Sequence, residues 1–300
     1  MRIPTFSLDR QIQWNSINKV LQAIRYRFLL FVGVFPYLLG ATIAYHSTNA
    51  FYFNYFLLGL IGIAISLGAV EIFNEYYDIK LGTDRVFNFN ENLRLPSIKL
   101  GVISLVAALG IGLYLAIVRG WLILILLGVG VLAIVGYVGP PFRWSYRGFG
   151  ELSIFLAYGP FMTLGSYYLQ AQEIHTLPLI TSLIIGFPIL ALSIINEVPD
   201  YHGDRLVGKK NVVVRIGRKN AVNLFGVMLA LCFIILASSL ILEKIPFFTL
   251  TIFTMIPLAY WNYRAAKKNY DDPKELTSAV RGTILLYLII AILLIISFLF

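Results

Sequence analysis

The stretch IINEVPDYHGDRLVGKKNVVVRIG, residues 194–217, decides how this chain is read. It starts on the last residues of a long apolar run and sets Asn196, Asp200 and Asp204 four residues apart. Lys209, Lys210 and Arg215 follow within eleven residues of Asp204. Carboxylates at the mouth of an apolar segment, with cations beside them, pose a chemical question, because charges are costly next to hydrocarbon unless they serve a site.

The rest of the chain sets the environment. Of its 300 residues 59% are hydrophobic and 13% charged, with a mean hydropathy of +0.80. Soluble domains carry about 25% charged residues, so the composition excludes an ordinary soluble fold. Nine stretches approach the length of about 20 apolar residues that a bilayer demands: 28–46, 52–73, 98–118, 121–138, 151–170, 177–195, 221–242, 246–263 and 279–300. The third and fourth meet at Arg119-Gly120, which reads as a tight helical hairpin. Residues 1–27 contain no uninterrupted apolar core of a cleavable signal. Their Leu8, Ile12, Ile17, Leu21 and Ile24 recur at roughly helical spacing, as in an amphipathic segment lying on the membrane surface. The expected organisation is therefore a surface segment over 1–27 and one all-α polytopic membrane bundle over 28–300.

With nine spans, 22 of the 24 Lys and Arg fall on the side of the N-terminus, leaving Arg119 and Lys244 opposite. Basic residues are retained in the cytoplasm, so the N-terminus is expected inside and the C-terminus outside, with Arg119 and Lys244 as interfacial anchors. That rule does not govern acids, yet 13 of the 15 Asp and Glu also lie on the cytoplasmic side, the exceptions being Glu173 and Glu243. Cys232 is the one cysteine, so no disulfide framework exists; its apolar surroundings mark it as a packing residue.

The acids concentrate in two clusters. The first, AVEIFNEYYDIKLGTD over 69–84, ends the second span. Asn74 and Asp78 share a helical face, and Gly82 lets Asp84 swing back towards Asp78. The second ends the sixth span, where Pro199 should kink the helix beside the cluster. The Asn-x-x-x-Asp arrangement repeats, which suggests that the two halves are internally related. Asp78, Asp84, Asp200 and Asp204, with Glu75 and Glu197 beside them, would repel one another across a shared cavity unless a cation held them. His202 is the one candidate His or Cys ligand nearby and reads better as a neighbour of the cluster, so zinc is disfavoured. Oxygen ligands suit Mg2+, which takes one or two carboxylates plus substrate phosphates. Lys209, Lys210, Arg215, Arg143 and Arg147 are then placed to bind a polyanion that the metal bridges, and a diphosphate fits. A third segment, GYVGPPFRWSYRGFGEL over 136–152, offers Tyr137, Phe142, Trp144 and Tyr146 to an allylic cation or an aromatic ring, with Glu151 opening the fifth span.

NEYYDIKLGTD at 74–84 and NEVPDYHGDRLVGKKNVVVRIG at 196–217 resemble the two Asp-rich motifs of the UbiA-type intramembrane prenyltransferases. Within that superfamily, the form of the first motif, GPPFRWSYRGFGEL and GPFMTLGSYYLQ at 159–170 are similar to the 1,4-dihydroxy-2-naphthoate polyprenyltransferases of menaquinone biosynthesis. Gly82 and His202 depart from patterns common in the superfamily. The resemblance implies nine transmembrane helices around a central cavity in the cell membrane, with the active site facing the cytoplasm. It implies Asp78, Asp84, Asp200 and Asp204 holding Mg2+ on a polyprenyl diphosphate, with Asn74 and Asn196 orienting them. Lys209, Arg215 and Arg143 would stabilise the departing diphosphate, Tyr137 and Tyr146 would flank the substrates, and the prenyl tail would lie among the spans, open to lipid. Other acceptors, 4-hydroxybenzoate or a glyceryl ether phosphate, and a multi-pass organic-anion transporter are the alternatives.

Overall fold

The computed structural model describes residues 32–81 and 98–300. The surface segment expected over 1–27, Asp84 and the rest of loop 82–97 lie outside the described residues, and so does the side chain of Asp78. The described residues are helical and contain no strand.

In chain order the helices are α1 (32–48), α2 (Phe53–Leu81), α3 (Ile98–Arg119), α4 (Trp121–Val138), the single turn α5 (Trp144–Arg147), α6 (Gly150–Leu156), α7 (Met162–Ala171), α8 (Thr176–Glu197), α9 (Tyr201–Leu206), α10 (Val212–Ile216), α11 (Arg218–Ile241), α12 (Ile256–Asn269) and α13 (Pro273–Leu299). A π turn over Ala157–Phe161 joins α6 to α7, and a 3-10 segment over Phe247–Met255 leads into α12. Segments within α2, α3, α8, α11 and α13 are each long and apolar enough to cross a membrane. Trp121–Tyr137 is a shorter apolar helix. The predicted fifth and eighth stretches are interrupted by the π turn and the 3-10 segment. Pro160 explains the first interruption, because it contributes no N–H to the helical ladder.

Helix α8 is the axis of the packing. Ile184, Ile185, Ile194 and Ile195 are fully buried against Phe225, Cys232 and Leu236 of α11 and Leu286, Ile290 and Leu294 of α13. Two polar contacts tie this core together: Cys232 Sγ meets the Ile184 carbonyl at 3.2 Å, and the Tyr287 hydroxyl donates to the Val32 carbonyl at 2.6 Å. Hydroxyls inside the helices donate back to carbonyls three or four residues earlier, as Thr42, Thr181 and Thr283 do. In a dry environment that is how a hydroxyl avoids being left unpaired. Where α1 crosses α7, Gly40 lies so close to the Thr163 carbonyl that a Cβ would collide with it. Apolar side chains are exposed along the helices, Ile117 at 84% and Ile241 at 80% among them, as lipid contact requires.

Two sequence expectations change. The α3–α4 hairpin forms at Gly120, whose φ of +121° suits glycine. Arg119, expected as an interfacial anchor, is instead only 7% exposed. Its Nε donates to the Leu169 carbonyl at 2.8 Å and its Nη2 to the Gln170 carbonyl at 2.7 Å. The guanidinium also lies over the Tyr52 ring, 4.4 Å from its centroid. Carbonyls at the end of α7 have no helical partner, and Arg119 meets them from α3. Pro199, expected to kink a continuing helix, ends it: α8 stops at Glu197, and i+3 hydrogen bonds carry the chain through Val198, Asp200 and Tyr201 into α9.

Candidate active site

The helices enclose a cavity of about 920 Å³, a size typical of small-molecule sites. Its interior is apolar, built from α2, α3 and α4 on one side and α6, α7 and α8 on the other, with Leu67, Leu105, Leu127 and Leu192 among the walls. Its polar end is formed by both sequence motifs. Asn74 and Glu75 come from α2, Asn196 and Glu197 from the end of α8, Asp200 from the break after it, and Asp204 and Lys209 from α9 and the loop beyond. The break at Pro199 therefore does not scatter the second motif. It turns the chain so that both Asp200 and Asp204 still face the space lined by Asn196. Tyr137 and Ser145 close the rim from the 136–152 segment.

Several predicted residues engage one another. Lys209 Nζ lies 3.1 Å from Asp204 Oδ2, and Asn211 Nδ2 donates to the same oxygen at 2.7 Å. Asn211 is fully buried, and its Oδ1 accepts the Val214 N–H at 2.8 Å as the N-cap of α10. Lys209 Nζ also stands 6.0 Å from the centre of the Tyr146 ring. Arg215 is turned away from the cavity: its Nε donates to the Lys210 carbonyl at 2.8 Å and its Nη2 to the Arg147 carbonyl. Lys210 N–H donates to the Tyr146 carbonyl at 2.9 Å. Arg215 and Tyr146 thus stitch the 144–150 loop to the 204–217 loop, and neither lines the cavity. Arg143 does not line it either. It sits in a left-handed turn with φ 47°, and its buried Nε has no acceptor among the described residues. Glu151, 2% exposed, closes the same seam by accepting the Val212 N–H at 2.7 Å.

Sequence reasoning missed Asn211. An Asn before Val-Val-Val is an N-cap signal, but the basic residues around it drew the reading towards charge.

The donor set fits a hard cation. Among the described residues lining the cavity, Lys209 is the cation, against Glu71, Glu75, Glu197, Asp200 and Asp204. Asn74 Oδ1 and Glu197 Oε2 are buried oxygens that accept no hydrogen bond from the described residues, and Glu151 Oε2 shares that condition. Glu151 and Glu197 lie within electrostatic reach of each other, with Lys209 and Asp204 nearby. An all-oxygen donor set in which acids outnumber cations matches Mg2+. No group of three or more His, Cys, Asp or Glu placed to hold a metal occurs among the described residues, which do not include the side chains of Asp78 and Asp84.

Comparison with known proteins bears on this geometry. The model of the UbiA prenyltransferase family matches residues 33–281. The chain is 25% identical to the 2-carboxy-1,4-naphthoquinone phytyltransferase of Synechocystis sp., over 82% of each chain. It is 24% identical to the 1,4-dihydroxy-2-naphthoate octaprenyltransferase of Bacillus subtilis, over 90% of this chain and 89% of that one. Among solved structures, the apo structure of a UbiA homolog from Aeropyrum pernix K1 superposes with a TM-score of 0.68 at 14% identity, covering 88% of this chain and 97% of that one. A structure described as digeranylgeranylglyceryl phosphate synthase superposes at 0.62 and 15% identity, covering 95% and 99%. At those identities the superpositions speak for the fold alone. The match over most of the chain, on a bundle of this shape, makes this integral membrane protein a member of the UbiA prenyltransferase family.

Proposed function

We propose that the chain transfers a polyprenyl group from polyprenyl diphosphate to 1,4-dihydroxy-2-naphthoate or a closely related naphthalenoid acceptor of quinone biosynthesis. The observation that carries this reading is the cavity: an apolar interior large enough for a prenyl chain and a ring, capped by acids and Lys209 at one end. The acceptor class follows from the names of the relatives in Synechocystis and Bacillus. Nine spans, a cytoplasmic N-terminus and a cytoplasmic cavity mouth in the cell membrane complete the proposal, and the distribution of Lys and Arg supports them.

Asp78, Asp84, Asp200 and Asp204 would hold Mg2+, with Asn74 and Asn196 orienting the carboxylates. When bound, the metal supplies positive charge against which the diphosphate departs. Lys209 adds a cation at the same mouth, and Asn211 keeps Asp204 aimed at it. As the C1–O bond breaks, its electron pair leaves with the diphosphate and positive charge spreads over the allylic carbons. Tyr137 presents a ring to that charge, and the apolar walls keep water from capturing it. An electron-rich ring carbon of the acceptor then forms the new C–C bond and loses its proton, or its carboxylate as carbon dioxide, to restore the aromatic ring.

Purified full-length protein with Mg2+, a long-chain polyprenyl diphosphate and a panel of naphthoate, 4-hydroxybenzoate and glyceryl ether phosphate acceptors tests the reading. The naphthoate should be prenylated, chelation with EDTA should stop turnover and added Mg2+ should restore it. Preference for either other acceptor, or recovery with zinc alone, would overturn the corresponding part of the proposal.

A further inference from the structure

Of the cavity acids that the diphosphate chemistry leaves unused, Glu71, Glu75 and Glu197, Glu71 is the one set back from Asn74 into the bundle. It lies on α2 three residues before Asn74, about 4.5 Å further inward along the helix axis, and faces the same cavity. A carboxylate at that depth is a site marker by default. Tyr158, 6% exposed, lines the cavity from the π turn and lies within electrostatic reach of Glu71. From α8, Ser193 faces the cavity one turn inward of Glu197. The polar mouth thus has an inner tier.

The π turn is what presents Tyr158. Ser153, Ala157, Phe161, Gly165 and Leu169 all line the cavity, one at every fourth residue. A straight α-helix would rotate such a series by about 40° per step, carrying its later members off the cavity face. The wider turn at Ala157–Phe161 absorbs the drift and keeps Tyr158 beside this stripe.

With the diphosphate at the tier of Asn74 and Asn196, the donor's C1 points inward. An acceptor ring that meets it places its oxygens against the tier below. Asn196 is no base, Asp204 is held by Lys209 and Asn211, and Glu75 and Glu197 follow Asn74 and Asn196 in the chain, at the tier of the diphosphate rather than below it. We propose that Glu71 is the base that takes the hydroxyl proton of the aromatic acceptor, with Tyr158 positioning the acceptor oxygen; this rests on the prenyl-transfer reading above. The hydroxyl proton passes to the Glu71 carboxylate, the oxygen lone pair moves in to form a ring ketone, and the ring carbon's electron pair forms the C–C bond to the allylic C1 from which the diphosphate has departed. Loss of a proton or of carbon dioxide from that ring carbon returns its electron pair to the ring, and the oxygen regains the proton from Glu71. No oxidant or further reactant is needed.

The test compares the parent enzyme with Glu71→Gln on hydroxynaphthalene acceptors of increasing hydroxyl acidity, with binding of a polyprenyl thiodiphosphate measured alongside. General-base loss should lower kcat on the weakest acid about a hundredfold or more, and the deficit should shrink steadily as the hydroxyl becomes more acidic. Binding of the thiodiphosphate should stay within about twofold of the parent, since a base for the acceptor contributes nothing to donor affinity. A kcat within about threefold of the parent, an equal deficit across the acid series, or donor binding that falls with kcat overturns the proposal. Should Glu71→Gln not yield folded protein, Tyr158→Phe carries the test: acceptor KM should rise about tenfold with donor binding kept, and an unchanged KM overturns it. Failure of the parent enzyme to prenylate any acceptor would instead overturn the transfer reading.

Discussion

At the scale of single residues, Asn211 does two things with one amide. Its nitrogen donates to Asp204 and its oxygen caps α10. Asn211→Ala removes both, leaving a buried carboxylate oxygen with one partner fewer and an uncapped helix, which should lower stability by about 2 kcal/mol. Asn211→Asp restores the cap acceptor but sets a second carboxylate against Asp204, so its activity should fall below that of Asn211→Ala although α10 is capped again. Thermal unfolding in detergent and turnover, measured for both variants, check this. Activity of Asn211→Asp equal to that of the parent would mean that the capping half of the amide is what matters. The sequence left this residue unread for a physical reason. Its partner Asp204 is seven residues away, and the two meet only because α9 ends and Lys209 N–H returns to the Asp204 carbonyl at 2.9 Å. The acids themselves were legible, since Asn-x-x-x-Asp at the end of an apolar run has no use as a lipid-facing surface.

At the scale of elements, hydrophobic runs and helical spacing were sufficient to place the long helices, while their ends and interruptions depended on tertiary partners. Pro199 marked a disturbance in the second motif but not whether the helix bends or stops. The i+3 hydrogen bonds that stop it become visible only with the chain folded. Arg119 shows the same limit more sharply. An arginine at the end of an apolar segment is commonly an anchor at the interface, but here the carbonyls at the end of α7 claim it. The contact joins α3 to α7, and Gln172 Nε2 donates back to the Arg119 carbonyl at 2.8 Å. Arg119→Lys keeps the charge but loses the planar fork that reaches two carbonyls while stacking on Tyr52. It should cost about 2 kcal/mol of stability, as loss of a charge-assisted hydrogen bond does. Because the clasp lies away from the acidic mouth, the KM for polyprenyl diphosphate should hold while the unfolding temperature drops. An unchanged unfolding temperature would return Arg119 to the role of a surface anchor.

For the whole molecule, the proposed topology turns the charge pattern into a measurement. If nine spans are correct, Lys244, between α11 and the 3-10 segment, and Lys268, near the end of α12, lie on opposite sides of the membrane. Both are exposed in the fold and therefore open to a reagent. Cys232 is fully buried and can be replaced with Ala to give a background without thiols. Lys244→Cys and Lys268→Cys are then treated in intact cells with a maleimide that cannot cross the membrane. Lys244→Cys removes an outward charge and so reinforces the expected orientation, whereas Lys268→Cys removes one of 22 inward charges and should leave it unchanged. Label should reach position 244 from outside, and position 268 only after the cells are permeabilised. Label at 268 in intact cells, with none at 244, would reverse the orientation and put the acidic mouth outside, away from a cytoplasmic supply of diphosphate. Label at both would mean that the segment 246–263 does not cross, and its 3-10 opening at Phe247–Met255 would then belong to a helix lying along the membrane surface. The acids make the expected outcome the consistent one, since the nine-span topology that would place 22 Lys and Arg inside would carry 13 of the 15 carboxylates with them.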